Sequence, residues 1–144
     1  MLTYLYGNSH GDNPRDQQAF ITAADMLRGA YLPPAARSAL FRAMARIPGV
    51  RAMPDVVDVA GRHGVAVTRT YGYRQELIFD PKTYEYLGEQ ETVVADPGTG
   101  GPGTTPGRSP GHTASQVPDL PLGMVFGRIA ILRVAIVDRA GQVP

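Results

Sequence analysis

The sequence predicts an α+β fold, two N-terminal helices packed on a curved antiparallel β-meander of about five strands. Apolar side chains recur every three to four residues up to Gly49 and alternate beyond it, which marks a change from helical to strand period. The later segments are separated by short turns rich in Gly, Pro and Asp, so successive strands pair as antiparallel neighbours. The length of 144 residues, with 43% hydrophobic side chains, suits one domain over 1–144 with a core of its own.

The first helix is expected over 14–31. Asn13 offers an N-cap, Pro14 a first helical residue and Asp16 a negative charge near the positive end of the dipole. Phe20, Ala24, Leu27 and Tyr31 form its apolar stripe. The second helix follows Leu32-Pro33-Pro34 and runs to about Arg46, with Ala36, Leu40, Ala43, Met44 and Ile47 inward, and Pro48-Gly49 stops it. Leu2 to Tyr6 has room for one further short helix.

Val50 to Val59 reads as a strand that Pro54 confines to an edge or a bulge. Residues 60–64 form a hairpin loop before a strand over Val65 to Thr70. Tyr71-Gly72 turns the chain into Tyr73 to Phe79, and Asp80-Pro81-Lys82-Thr83 has the residues of a type I turn. Tyr84 to Val94 follows as a long strand. Residues 96–122 are dense in Gly, Pro, Ser and Thr, do not repay the entropy of ordering, and are expected to form a flexible loop. Met124 to Asp138 returns as a strand. Its middle, Ile129 to Leu132, is apolar on both parities, which predicts a long central strand.

Composition removes several function classes. The chain carries 14 basic and 13 acidic residues without a concentrated basic face, so no nucleic-acid partner is expected. It has no cysteine, which excludes disulfides, thiolate metal sites and a cysteine nucleophile. His10, His63 and His112 lack metal-site spacing, so no metal is expected. No segment is apolar over a span long enough to cross a bilayer, and the run from Met1 into Gly7-Asn8-Ser9-His10 does not read as a leader. Ser9, Ser38, Ser109 and Ser115 lack a nucleophile elbow, the loop glycines lack a P-loop lysine, and no cofactor is expected.

Carboxylates and tyrosines remain. By period two, Glu85, Glu89 and Glu91 share one face of their strand, opposite Tyr84 and Tyr86, while Glu76 and Asp80 point together on the preceding strand. Glu76 and Glu89 are the candidate acid and base, provided that burial separates their pKa values. The structural alternative is a solvated face with Arg69, Arg74 and Lys82 as cross-strand partners. Tyr71, Tyr73, Tyr84 and Tyr86 cluster around two adjacent hairpins and are the candidate ligand-binding residues, with core or rim packing as the alternative.

Asp16 to Leu27, PPAARSALFRAMARIPGV from Pro33, AGRHGVAVTRTYGYRQELIFDPKTYEYLGE from Ala60 and GRIAILRVAIVDRAGQVP from Gly127 together resemble the C-terminal domain of an uncharacterised actinobacterial family. Its members are membrane-anchored and often encoded beside extracytoplasmic-function sigma factors. The upstream anchor of that family is not expected within these residues, and the loop over 96–122 is expected to be longer than usual for it. The order of elements, with its FDPKT turn, is also similar to lipoprotein-carrier and periplasmic sigma-regulator half-barrels. These resemblances imply an extracytoplasmic domain without assigned catalytic residues; a free-standing enzyme would instead be cytoplasmic.

Two functions are expected from this reading. One is a non-enzymatic ligand-binding or sensing domain that holds a small hydrophobic molecule or a protein segment between helices and sheet. The other is a small acid–base enzyme of cyclase or isomerase type, with Glu76 and Glu89 in the cup and Tyr84 or Tyr86 orienting the substrate.

Overall fold

Helices precede strands throughout the computed structural model, which describes residues 1–71, 73–94, 120–136, 138, 139 and 142. The helices are α1 (Leu2–Gly7), α2 (Arg15–Gly29) and α3 (Pro34–Met44). The strands are β1 (Val50–Val57), β2 (His63–Tyr71), β3 (Tyr73–Phe79), β4 (Tyr86–Thr92) and β5 (Val125–Ala130), joined in the order β1-β2-β3-β4-β5 with every neighbouring pair antiparallel. The α+β meander is therefore as expected, with three helices instead of two.

α2 begins one residue later than the N-cap reading predicts. Pro14 is its N-cap residue, and the Asn13 amide donates to the Gln18 side chain at 3.0 Å instead of capping the helix. Phe20, Ala23, Ala24 and Leu27 are buried, but the helix ends at Gly29 and Tyr31 lies exposed beyond it. α3 buries Leu40, Ala43 and Met44, with Ile47 just past its end.

The helices cover one face of the sheet. Leu5, Phe20, Leu40, Met44 and Ile47 are packed in one cluster with Val67, Leu77, Phe79 and Tyr86. Each such large side chain contributes about 1.5–3 kcal/mol on leaving water. The opposite face carries a smaller cluster, Ala66, Ile78 and Leu87, flanked by Met53 and Val56.

Two irregularities bend the ladder. β1 shifts register between Met53 and Val56, around Pro54 and Asp55, the latter at φ 56°. Proline has no N–H to give to a ladder, so a bulge on an edge strand accommodates it. β4 carries an extra residue: Phe79 pairs with Tyr86 and Ile78 with Gly88, leaving Leu87 unmatched.

β5 is an edge strand, not the central strand expected. Its last bond to β4 runs from Ile131 N–H to the Leu87 carbonyl, because β4 itself starts at Tyr86 and leaves nothing further to pair with. Leu132, Val134 and Ile136 are consequently exposed without regular structure. The Gly/Pro-rich loop expected over 96–122 lies outside the described residues as far as 119. At its end Gly123 N–H donates to the Val93 carbonyl and Val93 N–H to that of Met124, so the chain re-enters the sheet beside β4.

Candidate functional site

Strand parity assigns each polar side chain to a face. Val67, Leu77 and Glu89 lie on the helix-covered face, while Thr68, Glu76, Gln90 and Arg128 line up across four strands on the helix-free face. Glu76 and Glu89 thus point to opposite sides of the sheet. The structure does not bring together the two carboxylates proposed as acid and base, and no single substrate reaches both.

Glu89 stands where the end of α2 meets the sheet. Its carboxylate accepts from Arg28 Nε at 3.2 Å and Nη2 at 2.7 Å, a two-pronged pair, and from the Tyr86 hydroxyl at 3.1 Å. The second prong of α2 is local, Arg28 Nη1 to Asp25 at 3.0 Å. Tyr86 shares the face of Glu89, against the period-two expectation, because the extra residue Leu87 inverts parity between them. Burial, then the adjacent Glu89 charge, pushes the Tyr86 phenol far above its ordinary range. Desolvation opposes the Arg28 charge, but the Glu89 hydrogen bond and charge outweigh it and raise its pKa further. A carboxylate committed to a guanidinium and a phenol fastens α2 to β4.

Glu76 is held as firmly. It is 1% exposed, lies 2.6 Å from Arg74 Nε and accepts from the Gln90 amide. Arg69, on the other face, instead donates to Gln17 at 2.6 Å and to the Pro48 carbonyl, tying β2 to the helices.

The four tyrosines do not share a cleft. Tyr71 and Tyr73 face each other across the β2–β3 hairpin, with the Tyr73 ring 5.5 Å from that of Phe126. Burial and the Glu91 charge raise the Tyr73 phenol. Tyr86 is buried with its ring 5.8 Å from Phe79. Tyr84 lies at the far end, at φ 56°, its ring 4.9 Å from that of Phe41.

An open groove of about 520 Å³ lies on the helix-free face, lined by residues of β1, β3, β4 and β5. The sheet curves enough for Val57 of the first strand and Arg128 of the fifth to line the same space. Val57, Val93, Val94, Leu122 and Val125 make its apolar walls, and Arg74, Gln90, Thr92 and Arg128 supply polar groups. Arg74 and Gln90 are engaged with Glu76. The Thr92 hydroxyl is buried without a hydrogen-bond partner among the described residues, and Arg128 pairs with none of them. A buried hydroxyl left unpaired costs about 1–3 kcal/mol and so calls for an explanation. Thr92 and Arg128 were not singled out by sequence reasoning. The available signal was one arginine within the otherwise apolar run from Val125 to Leu132.

Among the described residues no group of His, Asp or Glu is placed to hold a metal ion, and no helix is long and apolar enough to cross a membrane. No family model, curated protein or solved structure matches the chain.

Proposed function

We propose that this is a non-enzymatic binding domain, and that its ligand is a small amphipathic molecule with an apolar body and an anionic head, seated in the groove of the helix-free face. The observation that carries this reading is the coincidence, in one groove, of valine and leucine walls with a guanidinium and a buried hydroxyl that have no partner among the described residues. Ligand sites are mostly apolar clefts of about 300–1,000 Å³ with a few converging polar groups, and the groove is of that kind. A carboxylate or phosphate head beside Arg128 would accept from the guanidinium, while the body covers Val57 and Leu122, which are 46% and 71% exposed. The space between helices and sheet supports this location less well, because Phe20, Leu40, Leu77 and Phe79 fill it with no exposed surface.

The test is calorimetric titration with dodecanoate below its micellar concentration. Saturable binding with a negative heat-capacity change is expected, weakened about tenfold by Arg128→Ala and abolished by Val57→Asp. Arg128 is exposed, so its loss leaves the thermal midpoint in place. Failure to bind, or equal affinity in Arg128→Ala, refutes the reading.

A further inference from the structure

A second groove of about 520 Å³ opens at the other end of the sheet, between α3 and the turn joining β3 to β4. Its walls include three cationic side chains, Arg37 and Arg42 from α3 and Lys82 from the turn, together with the hydroxyl-bearing Ser38, Thr83 and Tyr84. Among the described residues no acidic side chain lines it. Two nearby carboxylates, Asp80 and Glu85, offset part of this charge. Asp80 accepts the backbone N–H groups of Lys82 and Thr83 at 2.8 and 2.7 Å, bonds that hold its pKa below the ordinary carboxylate value. Glu85 reaches Arg37 only at 4.0 Å and is itself about half exposed. A pair of that length with one exposed partner contributes modestly.

Three like charges converge on one concavity and repel one another. Arg37 Nε is buried and has no hydrogen-bond acceptor among the described residues. Arg42 donates to the Ser38 hydroxyl at 3.2 Å, and that hydroxyl in turn donates to the Ala35 carbonyl at 3.2 Å. Tyr84 adopts a left-handed backbone, rare for an aromatic residue, and its ring is wedged against Phe41, which in turn packs edge-on against Phe79 at 5.2 Å. Backbone strain of this kind persists where surrounding packing imposes it, and it places the Tyr84 side chain on the basic wall. A guanidinium donor left without an acceptor among the described residues, a second guanidinium, an ammonium and a phenol around one hollow match an oxygen-rich dianion.

From this we infer that the groove between α3 and the β3–β4 turn is a binding site for a phosphate monoester, with Arg37, Arg42 and Lys82 neutralising its charge and Tyr84 donating to a phosphate oxygen. The site is independent of the groove on the helix-free face. A free soluble phosphate and a lipid head group present the same chemistry to it.

Two arms of one experiment separate those sources. In the first, backbone ¹⁵N–¹H spectra of the full chain are recorded during titration with inorganic phosphate at constant ionic strength held with chloride. Saturating shifts confined to Arg37, Ser38, Lys82, Thr83 and Tyr84 are expected, and Arg42→Glu or Lys82→Glu weakens the apparent affinity at least about tenfold. Both residues are exposed, so the variants keep the wild-type thermal midpoint. Tyr84→Phe, which keeps the ring packing, weakens affinity by a smaller factor. In the second arm the protein is sedimented with phosphatidate-containing vesicles. Co-sedimentation lost in Arg42→Glu assigns a lipid head group; saturation by free phosphate without co-sedimentation assigns a soluble monoester. Shifts that stay linear in phosphate, or that chloride reproduces, with no charge-dependent sedimentation, overturn the inference, as does unchanged affinity in both charge-reversal variants.

Discussion

Replacing Gly88 by alanine is the most informative single perturbation of the sheet. Gly88 has φ 148° and follows the extra residue of β4. A Cβ built on it would press into the carbonyl oxygen of Ile129, far inside van der Waals contact, and sit 3.0 Å from Ala130 Cα. Both obstacles are backbone of β5, which has no rotamer to change. Positive-φ strain in a residue with a side chain costs about 1–2 kcal/mol, and forced overpacking about 1–3 kcal/mol. The sum, about 2–5 kcal/mol, is a large share of the roughly 5–15 kcal/mol by which domains are stable. At about 2–4 °C per kcal/mol for a chain of this size, the thermal midpoint should fall by about 10 °C. Urea unfolding followed by far-ultraviolet circular dichroism measures the change. Gly123→Ala is the control, because Gly123 also has positive φ, at 85°, but nothing lies within 4 Å of an added Cβ. It should lose only the conformational part, about 1 kcal/mol. If Gly88→Ala and Gly123→Ala prove equally mild, the close approach of β5 to β4 at the bulge is wrong, and with it the placement of Tyr86 beside Glu89.

Further outcomes follow from the same contacts. Glu89→Gln should cost about 1–2 kcal/mol, less than the 3–5 typical of a fully buried pair because Arg28 is 38% exposed and can hydrate. Spectrophotometric titration of that variant should show the most alkaline tyrosine moving down, because the Glu89 charge no longer opposes the phenolate while burial still does. Burial pushes the Asp58 carboxyl up, but the Arg62 backbone and guanidinium bonds outweigh it and leave its pKa below the ordinary value. A depressed folded pKa gives stability that is present above the unfolded carboxylate value, about 4, and lost as pH falls through the folded one. Asp58→Asn should therefore be less stable than wild type near neutrality, by about 1–3 kcal/mol, with the gap in urea midpoint closing on acidification. Phe20→Ala removes the largest fully buried side chain of α2 and should cost about 3–5 kcal/mol by urea unfolding.

What the sequence disclosed and what it concealed have separate physical causes. The change of period at Gly49, the Pro54 bulge and the Asp80-Pro81 turn are local signals, and each appears in the fold where local chemistry puts it. Faces of β4 were not legible, because period two holds only in an unbroken ladder and Leu87 interrupts it; an interior glycine, Gly88, was the sole hint of the break. The opposition of Glu76 and Glu89 depends on register between two strands, which neither strand encodes alone. β5 misled through its composition. Apolar side chains on both parities fit a covered central strand, yet they also occur on an edge whose partner ends early, as β4 does at Tyr86. Thr92 and Arg128 were overlooked for a related reason: their proximity exists only once β4 and β5 are paired, with Gln90 opposite Arg128 and Thr92 opposite Val125.

The seat of an apolar ligand on the side of the sheet away from the helices is open to direct observation. Isotope-filtered nuclear Overhauser spectra of the labelled chain with unlabelled dodecanoate would report which methyl groups touch the alkyl chain. Contacts to the methyls of Val57, Val93 and Val125 are predicted. Contacts to Leu27, Leu40 or Leu77 would place the ligand among the helices and contradict the account.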